Sequence, residues 1–480
     1  MTGFSVVAAW ACPALAVVLA GRVARGDADA PFLVLAAALA PLVALLVSGR
    51  RTPVPARSIV IPVRLACAGL VTAASLLAAG DVASALGAAR WQGVVVVGAL
   101  AALPALLPGA RWALLLPLGL VALVGATLLV GATTKMPPWR AWADAAARPA
   151  FRFGSHGAWV DEGGRVDRRT TVELAEGQRV TAMAAGVFRV VEREQARTTT
   201  REWRLAPGDT LALRPGDRLT LAAGARVRFE AGARVPGAPI SGAAWADPIE
   251  RLRPRRLVAW LGGFVTLVVG AAALARASAL TRADALAAIA SVLALPLAAA
   301  SWGIYAAAAP ELLLGRADGA VFAGLPAPVV GSGGGLAAAL ACGGLVALLL
   351  AAAHAFLGRL AGPLGPRREM AWLGVLVIAG VGALWPLDPW RALLLGWGLA
   401  AAAWAAPALG ARDAASATAG AWIGVFAWAA LAVLDLRGGL PPWAEGLGEA
   451  PALAAAPLAW LVARAAGAWR VGNGRPRLTQ

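Results

Sequence analysis

The hydrophobic pattern of this chain consists of long apolar runs separated by short polar segments, except for one polar region near its middle. Each run approaches the roughly 20 apolar residues that an α-helix needs to cross the hydrocarbon of a bilayer. The runs predict about twelve transmembrane helices, within a range of about ten to thirteen because some are short or interrupted by glycine and proline. They lie at about residues 4–20, 31–48, 58–80, 91–107, 112–132, 257–275, 284–308, 335–357, 371–385, 391–409, 419–434 and 451–466.

The pattern changes between the fifth and sixth runs, where apolar and polar residues alternate with the period of two that is typical of β-strands. Within residues 205–236 one eight-residue unit occurs four times, and its first two copies contain Pro-Gly-Asp. Proline followed by glycine suits a type II turn, whose third residue needs a positive φ. Structural turns are therefore expected at Gly208, Gly216, Gly224 and Gly232. The repeat predicts a compact β meander, inside a small sandwich or barrel of roughly six to eight strands.

Together these elements predict the fold class, which is a polytopic α-helical membrane protein with one inserted all-β extracytoplasmic domain. We expect transmembrane helices 1–5 in residues 1–134 and helices 6–12 in residues 256–480. Residues 135–255 between them are expected to form the inserted domain, which is called the β domain below.

Arginine is concentrated in alternate loops between the predicted helices. The loops after the second and eighth helices carry Arg50, Arg51, Arg367 and Arg368, whereas the opposite loops hold most of the acidic residues. Because cytoplasmic loops of membrane proteins carry an excess of Arg and Lys, both termini are predicted to be cytoplasmic and residues 135–255 extracytoplasmic. The expected location is the cytoplasmic (inner) membrane of a bacterium, with a periplasmic β domain.

Composition agrees with a membrane protein and removes several function classes. Charged residues make up 14% of the chain, against roughly 25% in soluble proteins, and the mean hydropathy is +0.71. The net charge of +17 comes from arginines in loops, so no nucleic-acid partner is predicted. The three cysteines lie in apolar runs and there are only two histidines, so neither a cofactor nor a metal site is predicted.

The two halves of the chain share short motifs, which indicate a six-plus-six helix repeat. The tripeptide Gly-Ala-Arg precedes the fifth and eleventh predicted helices, at residues 109–111 and 410–412, and Pro-Pro-Trp follows both, at 137–139 and 441–443. Such a repeat favours a secondary transporter as an alternative function. The middles of the predicted helices are nearly free of ionisable residues, however, which argues against a proton-coupled carrier.

Acidic residues in the extracytoplasmic loops are the candidate catalytic residues. Asp27 and Asp29 follow the first predicted helix, and Asp318 and Asp388 lie in later loops on the same side. Membrane glycosyltransferases that use polyprenyl-linked donors place a catalytic acid in the first such loop, so a polyprenyl-glycan transferase is a further alternative. The loop here is short, and a role of the four acids in topology and helix capping is the favoured interpretation.

The favoured functional hypothesis is a non-catalytic integral membrane component of a cell-envelope or membrane-complex assembly, which docks partners through its β domain. It rests on the apolar helix interiors, on the scarcity of metal-ligating residues, and on the lack of a Ser, His and acid set in the β domain. Arginines outnumber acids in the β domain. A protein, an anionic glycan or an anionic lipid is therefore expected to bind there, besides the lipids of the membrane.

Overall fold

The computed structural model describes residues 10–48, 53–107, 112–154, 159–166, 169–194, 197–247, 254–275, 282–307, 310–315, 318–323, 334–384, 388–437, 439–440, 447–448 and 450–472. Most of them are helical. The helices are α1 Pro13–Arg25, α2 Ala30–Ser48, α3 Arg57–Ala85, α4 Arg90–Leu106, α5 Leu115–Thr134, α6 Pro138–Ala146, α7 Gly242–Ala246, α8 Pro254–Ala275, α9 Arg282–Ala307, α10 Ala320–Ala323, α11 Gly334–Leu364, α12 Arg368–Ala383, α13 Pro389–Gly410, α14 Ala414–Leu436 and α15 Ala452–Gly472. Helix α13 includes a π-helical turn at Ala401–Ala405.

Six of these helices are long and apolar enough to cross a membrane, namely α3, α5, α11, α13, α14 and α15. Shorter apolar helices cover Ala30–Val43, Arg90–Leu106, Leu257–Gly270 and Ala294–Ala307. The predicted number of about twelve spans is therefore not confirmed. The first predicted span illustrates the reason, because Cys12 is extended and Pro13 begins the helix, which leaves α1 with only 13 residues.

The helices pack closely around α3, which contacts α1, α4, α11, α12 and α13. Trp372 and Trp397 are fully buried, and the Trp372 indole donates a 3.0 Å hydrogen bond to the carbonyl of Ala101. Small residues permit close approach of the backbones elsewhere. At the crossing of α5 and α11, a Cβ on Gly119 would lie only 2.8 Å from the carbonyl oxygen of Gly344.

The packing partners of the helices do not follow a six-plus-six repeat. The fifth predicted helix is α5, and it packs along α11, which corresponds to the eighth. In a six-plus-six repeat each helix corresponds to the helix six positions away, so the fifth and eighth helices correspond to the eleventh and second. A repeat would therefore pack the eleventh helix, α14, along the second, α2. Instead α14 packs along α15, and α2 packs along α8 and α9. This arrangement weakens the argument for an internally duplicated transporter.

The described part of the β domain consists of two antiparallel sheets of four strands each. The strands are β1 Gly164–Arg165, β2 Thr170–Glu173, β3 Gln178–Ala182, β4 Gly186–Glu194, β5 Arg197–Leu205, β6 Thr210–Leu213, β7 Arg218–Leu221 and β8 Arg226–Phe229. Their order is β1-β8-β3-β6 in one sheet and β2-β7-β4-β5 in the other. Pairing of the first strand with the eighth, the second with the seventh, and so on inwards is the connectivity of a jelly roll.

The more specific prediction of a β meander was wrong. The consecutive strands β6, β7 and β8 lie in alternate sheets, and each pairs with a strand from the first half of the domain. The physical reason lies in the repeat, since each eight-residue unit is one short strand and one turn. The turn carries the chain across to the facing sheet, so the neighbours of each strand come from earlier in the sequence.

The four repeat turns are bonded to the first half of the domain in the same way. The N–H groups of Gly208, Gly216, Gly224 and Gly232 donate to the carbonyls of Ala182, Leu174, Val166 and Phe153, respectively. The φ angles of these glycines are +94°, +87°, +85° and +76°. Each turn is closed from its fourth to its first residue, as by the 3.2 Å bond from Asp217 N–H to the Arg214 carbonyl. This is the geometry of a type II turn.

Gly216→Val is expected to lower the free energy of unfolding of the β domain by about 1–3 kcal/mol. Backbone strain is the cause, because φ at Gly216 is +87° and a Cβ there would meet no atom within 4 Å. Hydrogen exchange of β2 and β7 measures the loss. The matched control is Ala223→Val, an exposed position just before Gly224 without a positive φ. Equal losses in both variants would contradict the assignment to backbone conformation.

Two contacts described here fix the β domain to the helices. Leu314, between α9 and α10, is 6% exposed and belongs to the hydrophobic core of the sandwich. Trp245 of α7 packs on the end of α1 and donates a 3.3 Å hydrogen bond to the carbonyl of Val23. At the base of the domain, the Gly242 N–H donates to the Arg148 carbonyl at 2.7 Å, so the chain enters and leaves at one place.

Candidate functional site

The four candidate aspartates come together at one end of the helix bundle, beneath the β domain. They reach this place from three separate parts of the chain: the α1–α2 loop, the segment before α10 and the segment before α13. All four interact electrostatically with one arginine of α1, and three of them with a second arginine near its end. These residues are called the junction cluster, which consists of Arg22, Arg25, Asp27, Asp29, Asp318 and Asp388.

A glycine cap at the end of α1 directs the chain into the junction cluster. Gly26 has φ +64° and donates to the Val23 carbonyl, while the N–H of Asp27 donates to the Arg22 carbonyl. This pair of bonds is a Schellman motif, which requires a left-handed residue after the helix. Glycine is needed for a second reason, because a Cβ at Gly26 would overlap the Trp245 ring.

Ion pairs compensate two of the aspartates. Asp29 pairs with Arg22, whose guanidinium also lies over the Trp390 ring, 4.9 Å from the ring centre. The Asp318 carboxylate lies 2.5 Å from the Arg25 guanidinium, and its side chain is only 6% exposed. Burying a carboxylate is costly without such a partner. The pairs therefore hold α1 to α2 and to the segment before α10.

Asp388 has a structural role as the N-cap of α13. Its carboxylate accepts a 3.2 Å hydrogen bond from the backbone N–H of Trp390. Such a bond satisfies one of the free N–H groups in the first turn of a helix. It also fixes Trp390, and through Trp390 the guanidinium of Arg22.

Asp27 differs from the other three aspartates, because its carboxyl group has neither an ion-pair partner nor a hydrogen-bond partner among the described residues. Protein surrounds it, yet its side chain keeps partial exposure to solvent. Burial raises the pKa of Asp27 above its ordinary value, and the opposing effects of Arg22 and Arg25 are smaller. A partly exposed carboxyl group with a raised pKa is suited to accept and release protons. Of the four aspartates, Asp27 is therefore the one best placed for acid–base chemistry.

A cleft of about 160 Å³ separates the helices from the β domain next to the junction cluster. Arg25 lines it on the helix side, and Thr170 and Val172 of β2 line it on the domain side. Ala24, Pro310 and residues 236–239 and 313–315 contribute the rest of the wall. The cleft thus brings a charged group of the cluster within reach of solvent between the two parts of the molecule.

A second space is an apolar groove of about 200 Å³ among α1, α3, α4 and α11. Its wall includes Leu86 and Val96, which are 60% and 58% exposed on the outside of the bundle, so the groove opens to the side. Another wall residue, Val82, packs against Gly319, which follows Asp318 in the chain. The groove therefore ends close to the junction cluster.

Sequence reasoning missed two further ion pairs at helix ends. Asp81, near the end of α3, is 5% exposed and lies 3.3 Å from Arg90 at the start of α4. Arg391 of α13 pairs with Asp435 of α14. The sequence signal that could have revealed both pairs is the presence of opposite charges at the ends of apolar runs.

In the part of the chain that the structure describes, no group of three or more His, Cys, Asp or Glu residues could hold a metal ion.

The largest open edge of the β domain lies away from the junction cluster. Strand β5 is the outermost strand of its sheet and pairs only with β4 among the described strands. Most of its side chains are exposed, including Trp203 at 39%.

Comparison of the chain with protein-family models, with curated proteins and with solved structures finds no match.

Proposed function

We propose that this protein is a non-catalytic membrane component of a cell-envelope assembly, and that it docks a partner through its β domain. The observation that carries the proposal is the way the domain is mounted. Leu314 and Trp245 fix it to the helices through apolar contacts, while most side chains of β5 and its outer edge stay exposed. A domain held in this way keeps a constant orientation to the membrane, as a docking platform must.

The proposal includes a topology of about twelve crossings, with both termini in the cytoplasm of a bacterium and the β domain outside. The distribution of arginines among the loops supports it. A reporter fused after Gln480 is expected to show cytoplasmic activity, and one inserted at the exposed Gly224 to show the opposite location. Two reporters on one side of the membrane would exclude this topology.

Native electrophoresis of solubilised membranes tests docking. The intact chain is expected to migrate in a complex larger than itself, and a chain lacking residues 149–241 to migrate alone. A short linker suffices for this deletion, because Arg148 and Gly242 are already bonded to each other. If the ratio of apparent mass to chain mass were the same for the intact and the shortened chain, docking through the β domain would be excluded.

The junction cluster favours a second candidate, a transferase that uses a polyprenyl-linked donor. Asp27 would act as the acid–base residue, and the lateral apolar groove would receive the isoprenoid chain. The supporting observation is that Val82 of the groove wall packs against Gly319, which follows Asp318 of the cluster in the chain. Transfer of sugar from a polyprenyl-phosphate donor by the purified chain in vesicles tests this candidate. Absence of transfer by the wild-type chain would exclude the candidate, and full activity of the Asp27→Asn variant would exclude the acid–base role of Asp27.

Asp27→Asn is expected to be more stable than the wild-type chain at pH 7 and equally stable near pH 3. Because folding raises the pKa of Asp27, the wild-type chain loses stability as the pH rises from about 4 through the folded-state pKa. Asparagine is neutral throughout and avoids that loss. Thermal unfolding across this pH range measures the difference. Asp29→Asn is the matched control and should be destabilising at pH 7, because it deprives Arg22 of its ion pair.

A further inference from the structure

Strand β5 offers an uncovered row of backbone groups. It has 9 residues and lies at the end of its sheet, next to β4. In an antiparallel strand, every second residue turns its N–H and C=O away from the paired neighbour. On the far side of β5, these groups have no strand to bond to among the described residues. A long edge of this kind is a template for another strand.

The other three edges of the two sheets are less accessible or shorter. Strand β1 has only 2 residues, and β6 has 4. Strand β2 also has 4 residues, and its Thr170 and Val172 face the cleft beside Arg25 of the helix bundle. The β4–β5 hairpin, in contrast, extends beyond β7, which pairs with β4 only from Phe188 to Val191. Among the described strands of the domain, the outer edge of β5 is thus the one where an extended chain of some length fits.

The side chains along β5 indicate which chain it would accept. Trp203, opposite Phe188 at the rim of the sandwich core, is 39% exposed, and partly buried tryptophans are frequent anchors in interfaces. Arg204 is exposed on the other face and has no acidic partner among the described residues. Glu202, by comparison, is already paired with Arg189 at 2.6 Å. The edge therefore presents an apolar anchor on one face and an uncompensated positive charge on the other.

We infer that β5 binds an extended acidic segment of an extracytoplasmic partner protein by β-strand addition. The inference rests on the proposed docking function and names the surface and the chemistry of the partner. In the added strand, apolar side chains lie beside Trp203 and acidic side chains beside Arg204, so its sequence alternates between the two types. A peptide chain is the required ligand, because only a backbone of the same kind matches the row of N–H and C=O groups.

Binding of synthetic peptides to the purified full chain in detergent micelles tests the inference. The probe is a fluorescent peptide of about ten residues in which valine and aspartate alternate. The comparison peptides carry lysine in place of aspartate, or proline at alternate positions, which removes the donors of a ladder. We expect saturable binding of the acidic peptide only. Hydrogen exchange should slow at residues 198–204 when it binds.

Two variants and two matched controls locate the site. Trp203→Ala and Arg204→Glu are each expected to weaken binding by about tenfold or more. Trp139→Ala, at an exposed tryptophan of α6, and Arg228→Glu, on the opposite sheet, should bind as the wild-type chain does. Unchanged thermal unfolding of all four variants shows that each is folded.

Several outcomes would overturn the inference. Equal binding of the acidic and the proline-interrupted peptides would exclude strand addition, and protection outside β5 would place the site elsewhere. A dimer of the chain that dissociates in Trp203→Ala would make a second copy the occupant. If peptides fail to bind while the complex seen in native gels still depends on the β domain, docking stands and the β5 edge is wrong. If the complex seen in native gels did not depend on the β domain, the docking function itself would be excluded.

Discussion

Replacing Arg25 by alanine is expected to lower the free energy of unfolding by about 3 kcal/mol. Its partner Asp318 is only 6% exposed, and the side chain lies over Gly21 of α1, where no other cation is within ion-pair distance among the described residues. Removing the guanidinium therefore leaves a buried carboxylate without compensation. Denaturant unfolding in mixed micelles, followed by tryptophan fluorescence, measures the change.

The double variant Arg25→Ala with Asp318→Ala is expected to recover much of this loss, because the uncompensated charge is removed as well. Arg368→Ala is the control, since its pair with Glu369 is 36% and 29% exposed and, like other surface pairs, should contribute little to stability. If Arg25→Ala cost no more than Arg368→Ala, the junction cluster would not be a stabilising element. Its arginines would then have to be explained by ligand binding.

Leu314→Ala is expected to lower the stability of the β domain by about 2–5 kcal/mol. Leu314 belongs to the helical part of the chain, yet its side chain completes the core of the sandwich. Truncation leaves a cavity at the joint between the two parts, so the domain should also move more freely against the helices. Hydrogen exchange of the strands measures the stability, and limited proteolysis around residues 310–315 measures the loosening.

Ile240→Ala is the control for Leu314→Ala, because Ile240 lies near the same joint and is 70% exposed. We expect it to change stability by less than about 0.5 kcal/mol. A similar effect of both substitutions would mean that Leu314 does not anchor the domain. The β domain would then be held by Trp245 and α7 alone.

The periodicity of the sequence predicted the two parts of the fold, because burial imposes a pattern on neighbouring residues. Long apolar runs gave helices that could span a membrane, and alternation gave an antiparallel β region. The number of spans was less predictable, since breaks such as the one at Pro13 depend on single residues. The meander was wrong because strand pairing is decided by where the turns direct the chain, which local periodicity does not contain.

The junction cluster shows a different limit of what the sequence alone can predict. The sequence identified Asp27, Asp29, Asp318 and Asp388 as candidates by their position in loops on one side. It did not identify their arginine partners, since Arg22 and Arg25 read as ordinary charges at the end of an apolar run. Which helix ends meet is decided by packing of distant segments, such as the contact of Gly319 with α3. The distinct environment of Asp27 results from that packing, and no pattern in the sequence around Asp27 indicates it.

The position of Leu314 also sets the order in which the protein is completed during synthesis. The last strand of the β domain ends at Phe229, but the residue that fills its core follows α8 and α9 in the chain. The β domain is therefore translated in full before its final core residue leaves the ribosome. It reaches its mature core only after two more helices have entered the bundle. Maturation of the β domain thus reports that synthesis has passed this point, and in the proposed topology a chain arrested earlier would display an unfinished domain to proteases outside the membrane.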